Sequence, residues 1–134
     1  MLDSNVLISA LIAHTGAAGY IYQEWRRGRF QLVTSEIQLA EIRRVSRYPR
    51  VAKRISRQVI GEAINFLQNA VYYERIPRKY QCEDPEDAYL LDLADISGAD
   101  FLVTGDLRAG LLEKRKVGRA SILSTSTFAG LLSA

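Results

Sequence analysis

The stretch Asp84–Asp106, DPEDAYLLDLADISGADFLVTGD, sets the tightest limits on what this chain can become. Pro85 stands between Asp84 and the pair Glu86–Asp87. Proline is welcome in a first helical turn, and carboxylates there face the positive helix end. Leu90, Leu91 and Ala94 follow Asp87 at helical spacing, so Asp87 heads an inward face. Ser97-Gly98 stops the helix, Phe101-Leu102-Val103 reads as a short strand, and Thr104-Gly105-Asp106 leaves it. Two acids therefore belong to adjacent elements, one opening a helix and one just past a strand. Open α/β sheets place their chemistry outside the carboxyl ends of their strands. The plainer alternative is a helix cap and a turn aspartate.

At 134 residues the chain is expected to be one domain over 1–134, burying about two-thirds of its surface. A hydrophobic share of 48% with 25% charged residues suits a soluble globular protein. No apolar run reaches membrane-spanning length, and no signal segment opens the chain. With one cysteine, Cys82, no internal disulfide forms, and a cytoplasmic protein is expected. His14 is the one histidine, so a His/Cys zinc cluster is excluded and any metal is held by carboxylates, as Mg²⁺ or Mn²⁺ would be.

The formal charge of +3 hides an asymmetry. From Arg26 to Lys79 there are 13 basic residues against 4 acids, a net of +9, while the remainder nets −6. A positive patch beside an acidic cluster would hold a polyanion next to a metal. Seven of those bases (Arg43, Arg44, Arg47, Arg50, Lys53, Arg54 and Arg57) mark two helices as the basic face and as the candidate nucleic-acid contacts. Solvated helix surface is the simpler account of such residues.

Asp3 and Asn5 sit where a first strand would end, yet hardly any strand precedes them. A central strand runs about five residues, so the first strand is expected to have lost several residues or to be a stub. Helices are expected over Ala17–Arg27, from Ser35, from about Arg50 to Asn69 and around Leu107–Glu113. Strands are expected over Phe30–Thr34, Val71–Ile76 and Ala120–Leu123, with Ser124-Thr125-Ser126 capping a last helix. Ser35 with Gln38 forms a capping-box pattern. Ile37, Glu41 and Val45 lie four apart, so Glu41 is expected within the apolar stripe, costly unless paired or metal-bound. The alternation of strands and helices predicts an α/β protein with a parallel sheet covered on both faces.

Asp3, Glu41, Asp87 and Asp106 all fall at predicted strand ends or inward helix faces. Gathered together, four carboxylates would raise one another's pKa values, and divalent cations relieve that repulsion. Such ions activate water and steady the leaving oxygen of a phosphodiester displacement. Ser4, Asn5 and Thr104 are candidate hydrogen-bond supports for the ligands. No glycine-rich phosphate loop is present, and a serine–histidine pair would have to rely on His14 in a polar loop.

The chain resembles the PIN-domain ribonuclease family, in particular toxin components of toxin–antitoxin pairs. The likeness rests on LDSNVLISALI with Asp3 and Asn5, LAEIRRV with Glu41, DPEDAYLLDLA with Asp87, GADFLVTGD with Asp106 and the closing ILSTSTFAGLL. It implies a three-layer α/β/α fold around a parallel sheet of about five strands. It also implies Mg²⁺- or Mn²⁺-dependent cleavage of RNA by those four acids, homodimerisation and a cognate antitoxin. Many relatives carry a further aspartate where this chain has Arg108, and Asp92 replaces a small residue. The alternative is a PIN-like nucleic-acid-binding or protein-interaction module without catalysis. Tyr20, Tyr22, Trp25, Tyr48, Tyr72 and Tyr73 supply aromatic surface for partners.

Overall fold

A computed structural model describes residues 1–80, 88–105 and 111–134. The first helix, α1 (Ser4–Ala13), begins at Asp3, which has extended backbone and accepts the Asn5 N–H on its side chain. Most of α1 is apolar, and Val6, Leu7, Ile8, Ala10 and Leu11 are buried. His14 ends it in the left-handed conformation, and α2 (Gly16–Arg26) turns back across it. A side chain at Gly19 would meet the His14 carbonyl carbon at 2.6 Å, so glycine is what lets the two helices approach. In α2 the buried Glu24 takes Arg29 at 2.7 Å and Arg27 at 3.2 Å, and Arg29 also reaches the Leu132 carbonyl.

After α2 come β1 (Val33–Ser35), α3 (Glu36–Val45), α4 (Pro49–Ala52), α5 (Arg57–Leu67) and β2 (Val71–Tyr73). Next are α6 (Ala88–Ser97), β3 (Phe101–Thr104), α7 (Leu111–Lys114), β4 (Lys116–Val117), β5 (Ala120–Ser124) and α8 (Thr125–Ser133). The last helix is capped by Ser124 as expected. The expected helix from Arg50 to Asn69 is instead two. Ser56 adopts extended backbone, accepts the Val59 N–H and starts α5 afresh, while Ile55 is buried at the corner. Val51, Ile60, Ala63 and Leu67 are buried as the spacing predicts.

The fold is α/β, but among the described residues two small sheets stand where a continuous sheet of about five parallel strands was expected. One pairs β1 with β2 in parallel, and the other has the order β3-β5-β4, with β3 and β5 parallel and β4 antiparallel. The first strand is a single parallel bridge, Leu2 to Val103. Asp3 N–H donates to Val103 O at 2.8 Å and Val103 N–H to Met1 O at 2.9 Å. In such a ladder Leu2 turns its own N–H and C=O the other way, toward β1. Too little strand is present there to carry a backbone ladder. A side chain replaces it: Gln38 donates to the Leu2 carbonyl at 2.7 Å and accepts the Thr34 hydroxyl at 2.6 Å.

That substitution sets the rotation of α3. Gln38, Leu39 and Ile42 are buried, whereas Ile37 is 45% exposed and Glu41 is half-buried. The expected stripe through Ile37 and Glu41 therefore lies at the edge of the inward face, not along its middle. Ser35 caps α3 through the Gln38 N–H, but the Gln38 side chain does not complete a capping box because it is drawn inside.

The core has two parts, one on each side of the strands. Leu2, Val103 and Phe128 join α1, α2, α3 and α5 on one side. Met1, Leu102 and Ile122 join Tyr89, Leu90, Leu91 and Leu93 of α6 on the other. Successive residues enter opposite clusters, as strand pleating requires. Trp25 is a core residue, edge-on to Phe66 at 4.8 Å, and so is not available for an interface.

Replacing Gln38 with leucine keeps the volume but leaves the Leu2 carbonyl and the Thr34 hydroxyl without partners. Each buried unpaired group costs roughly 1–3 kcal/mol, so with two of them Gln38→Leu is expected to lose about 2–6 kcal/mol. Denaturant unfolding, read as a lower midpoint at unchanged slope, checks this.

Candidate functional site

Asp3 is 4% exposed, and its two carboxylate oxygens are held differently. Oδ1 accepts the Asn5 N–H at 3.3 Å, and Oδ2 accepts the hydroxyl of the fully buried Thr104 at 3.2 Å. The first contact is a helix N-cap, where the unpaired N–H groups and the helix dipole favour negative charge. The second comes from the end of β3, which the Leu2–Val103 bridge brings alongside. Of the expected supports, Thr104 therefore contacts Asp3 through its side chain. Asn5 does so through its backbone, with the residue itself exposed.

Ser4 leads away from Asp3 to a partner that the sequence did not point out. Tyr89 of α6 donates to Glu41 Oε1 at 2.8 Å, and its hydroxyl lies 3.3 Å from Ser4 Oγ. A phenol has one proton, so with that proton on Glu41 the serine is the donor in the second contact. The result is a directed chain, Ser4 to Tyr89 to Glu41, linking the start of α1 to the middle of α3 through α6. The Tyr89 phenol is pushed well above the ordinary tyrosine range, first by burial and then by the Glu41 carboxylate, with Asp3 adding to the effect. Tyr89 is thus a fixed hydrogen-bond donor rather than a base.

Glu41, Arg44, Ile37, Ala40 and Tyr89 line a hollow of about 420 Å³. A larger groove of about 620 Å³ runs between α3 and α5, lined by Arg43, Arg47 and Arg57 over Ile55 and Ile60. At about 100° per residue, Arg43 lies on the far side of α3 from Glu41, while Arg44 lies about 60° from it. The basic stretch thus splits between two flanks, and the expected basic face is divided between two hollows. Arg50, Lys53 and Arg54 are exposed. Asp92 caps backbone: its Oδ1 accepts the N–H groups of Lys79 and Tyr80 at 2.9 and 2.8 Å.

Asp87, Asp106 and Arg108 lie outside the described residues. Among the described residues no group of three or more His, Cys, Asp or Glu side chains is placed to hold a metal. The described donors are the carboxylates of Asp3 and Glu41 flanked by hydroxyls, an all-oxygen set that fits a hard divalent cation. Among the described residues no helix is long and apolar enough to cross a membrane.

The buried phenol has a consequence at high pH. Above about pH 10 the unfolded chain gives up a tyrosine proton that folded Tyr89 keeps, so the folded state loses stability as pH rises. Tyr89→Phe is expected to reduce that alkaline loss. In the parent protein, absorbance titration should show Tyr89 ionising only on unfolding.

A search of curated proteins and a search of solved structures each found no match to this chain. The family model described as PIN domain matches residues 1–108, a span that takes in Asp3, Glu41, Asp87 and Asp106, so the chain belongs to the PIN domain family, whose members are generally nucleases.

Proposed function

We propose that the protein is a divalent-cation-dependent endoribonuclease using Asp3, Glu41, Asp87 and Asp106. The observation that carries this is the hydroxyl chain from Ser4 through Tyr89 to Glu41, which ties one acid of the expected set to the residue that follows another, Asp3, across three elements. A bound Mg²⁺ or Mn²⁺ would supply Lewis acidity and activated water at the scissile phosphate. The chain's residues arrange its ligands. Thr104 and the α1 N-terminus orient the Asp3 carboxylate. Tyr89 keeps its proton and fixes one oxygen of Glu41, leaving the other for the site. Arg44, in the same hollow as Glu41, is placed to meet an RNA phosphate.

A toxin role with an antitoxin partner and a homodimer belong to the same proposal. The exposed Tyr48 and Tyr72, with Ile37, provide apolar and aromatic surface of the sort interfaces use. The basic groove of Arg43, Arg47 and Arg57 is a second phosphate-contacting surface under this proposal.

Cleavage of labelled single-stranded RNA with Mg²⁺, Mn²⁺ or EDTA is the test. Asparagine serves as an N-cap about as well as aspartate, so Asp3→Asn is expected to remain folded while losing nearly all turnover. Asp106→Asn should behave alike, and Tyr89→Phe should lower turnover by roughly 10–100-fold as an outer support of a ligand. Activity that persists in EDTA or in Asp106→Asn would overturn the mechanism. Reversing Arg44 to glutamate should weaken RNA binding and reduce the salt slope by about 0.7, measured by titration across a salt series.

A further inference from the structure

One face of α3 carries the hollow beside Glu41. Its lining residues Ile37, Ala40, Glu41 and Arg44 fall at i, i+3, i+4 and i+7, the spacing that sets side chains one above another on a helix. Tyr89 of α6 completes the described lining. The order along the helix is apolar, acidic, basic. At the helical rise, Ile37 and Arg44 lie about 10 Å apart along the axis with Glu41 between them. Ile37 is 45% exposed, and Ala40 is exposed as well. Single exposed apolar residues are ordinary on a protein surface. This one borders a cavity of about 420 Å³ that also holds a carboxylate and a guanidinium. Sites for organic ligands have that character, with roughly 300–1,000 Å³ of space, apolar walls and a few placed polar groups.

We propose that this hollow is a nucleobase subsite, in which one unstacked base of a single-stranded RNA lies on Ile37 in the space Ala40 leaves open, while Arg44 takes a neighbouring phosphate. The proposal rests on the nuclease reading, in which Glu41 stands at the scissile phosphate, and it adds what grips the nucleotide next to that phosphate. The order of chemistry along α3 carries the assignment. A nucleotide is anionic at its phosphate and flat and apolar on the faces of its base. Arg44 and Ile37, one on each side of Glu41, match those two ends. Tyr89 gives its proton to Glu41 Oε1, so the phenol brings no charge of its own to the hollow. Of the exposed Ile37, Tyr48 and Tyr72, Ile37 alone lines this hollow among the described residues, which ties it to the site rather than to a protein interface. An isoleucine face makes no hydrogen bonds and reads no base identity, since every base presents a π-face. The subsite therefore selects strand state: a base paired and stacked within a duplex is not splayed out to enter it.

The test measures binding to the complete chain carrying Asp106→Asn, so that bound RNA stays intact. Two probes are compared, oligouridine and an abasic ribose-phosphate oligomer of the same length and charge. Oligouridine is expected to bind more tightly than the abasic strand. Adding Ile37→Ala should remove about fivefold of that advantage, the lower end of what one stacked base contributes, with abasic affinity and the salt slope unchanged. Ile37→Val keeps a β-branched apolar bed and should keep the advantage. Arg44→Glu should weaken both probes by a similar factor, as a phosphate contact does. An equal loss for both probes in Ile37→Ala, no loss for either, or no binding of either probe before that substitution would overturn the subsite. So would a change of oligomeric state in Ile37→Ala by light scattering, which would make Ile37 a contact between copies of this chain. Cleavage by the parent chain together with base discrimination that survives Ile37→Ala would sink the subsite alone. Discrimination lost in Ile37→Ala, in a chain whose parent never cleaves RNA, would uphold the subsite and overturn the nuclease reading.

Discussion

A single parallel bridge, Leu2 to Val103, governs where the acids can be. It places the start of α1 beside the end of β3, and so makes Asp3 and Thr104 neighbours although 101 positions separate them. The bridge is too short to stand by itself, since strand pairing gains its strength from ladders rather than from one rung. Gln38 compensates by taking the Leu2 carbonyl on its other side, and Thr34 fixes the amide in return. All these groups are buried, which makes each contact stronger and each possible loss more costly. The helix that carries Glu41 is consequently turned by Gln38 together with Leu39 and Ile42, not by the expected stripe through Ile37 and Glu41.

The same geometry sets the electrostatics. Asp3 caps a helix and accepts a buried hydroxyl, two contacts that fix the direction of its carboxylate. Glu41 is reached by a phenol whose own ionisation is suppressed by burial and by that carboxylate. Structural work and candidate chemistry thus fall on the same atoms. A cap residue used as a metal ligand keeps its backbone role, which is why an uncharged side chain of the same shape separates folding from turnover there.

Much of this was legible in the chain because it is local. Asp3 before an apolar helix, Ser35 three residues ahead of Gln38, Ser124 opening the last helix and the strand at Phe101 are signals within a few positions. Nothing local marks Tyr89, because its partners Ser4 and Glu41 lie 85 and 48 positions away and no periodicity connects them. A tyrosine on a helix that is buried nearly all round needs a hydrogen-bond partner, and that was the available clue. Gln38 looked like half of a capping box; its role as a surrogate strand depends on how little of the first strand is present. Ser56 sits inside a run whose apolar spacing is helical throughout, although serine prefers caps for the same reason as Ser35. Asp87 and Asp106 carry the sequence argument without a structural counterpart among the described residues.

The rotation of α3 also divides the positive charge. Once Gln38 faces inward, residues three and five places on face opposite flanks of the helix. Glu41 points toward the Tyr89 hollow with Arg44 beside it, whereas Arg43 and Arg47 line the groove against α5. Arg43 is further engaged by Glu36 at 3.5 Å, and Glu36 in turn accepts the Tyr72 hydroxyl at 2.6 Å. Exposed pairs of this sort contribute little to stability, but they do occupy a charge. Of the seven basic residues between Arg43 and Arg57, Arg44 is therefore the one whose position ties it to a carboxylate of the candidate site. The Arg43–Arg47–Arg57 groove has an apolar floor and a separate flank, which suits it to a different contact with the same ligand or to a different ligand. Net charge counted along the sequence could not separate these roles; the phase of one helix does.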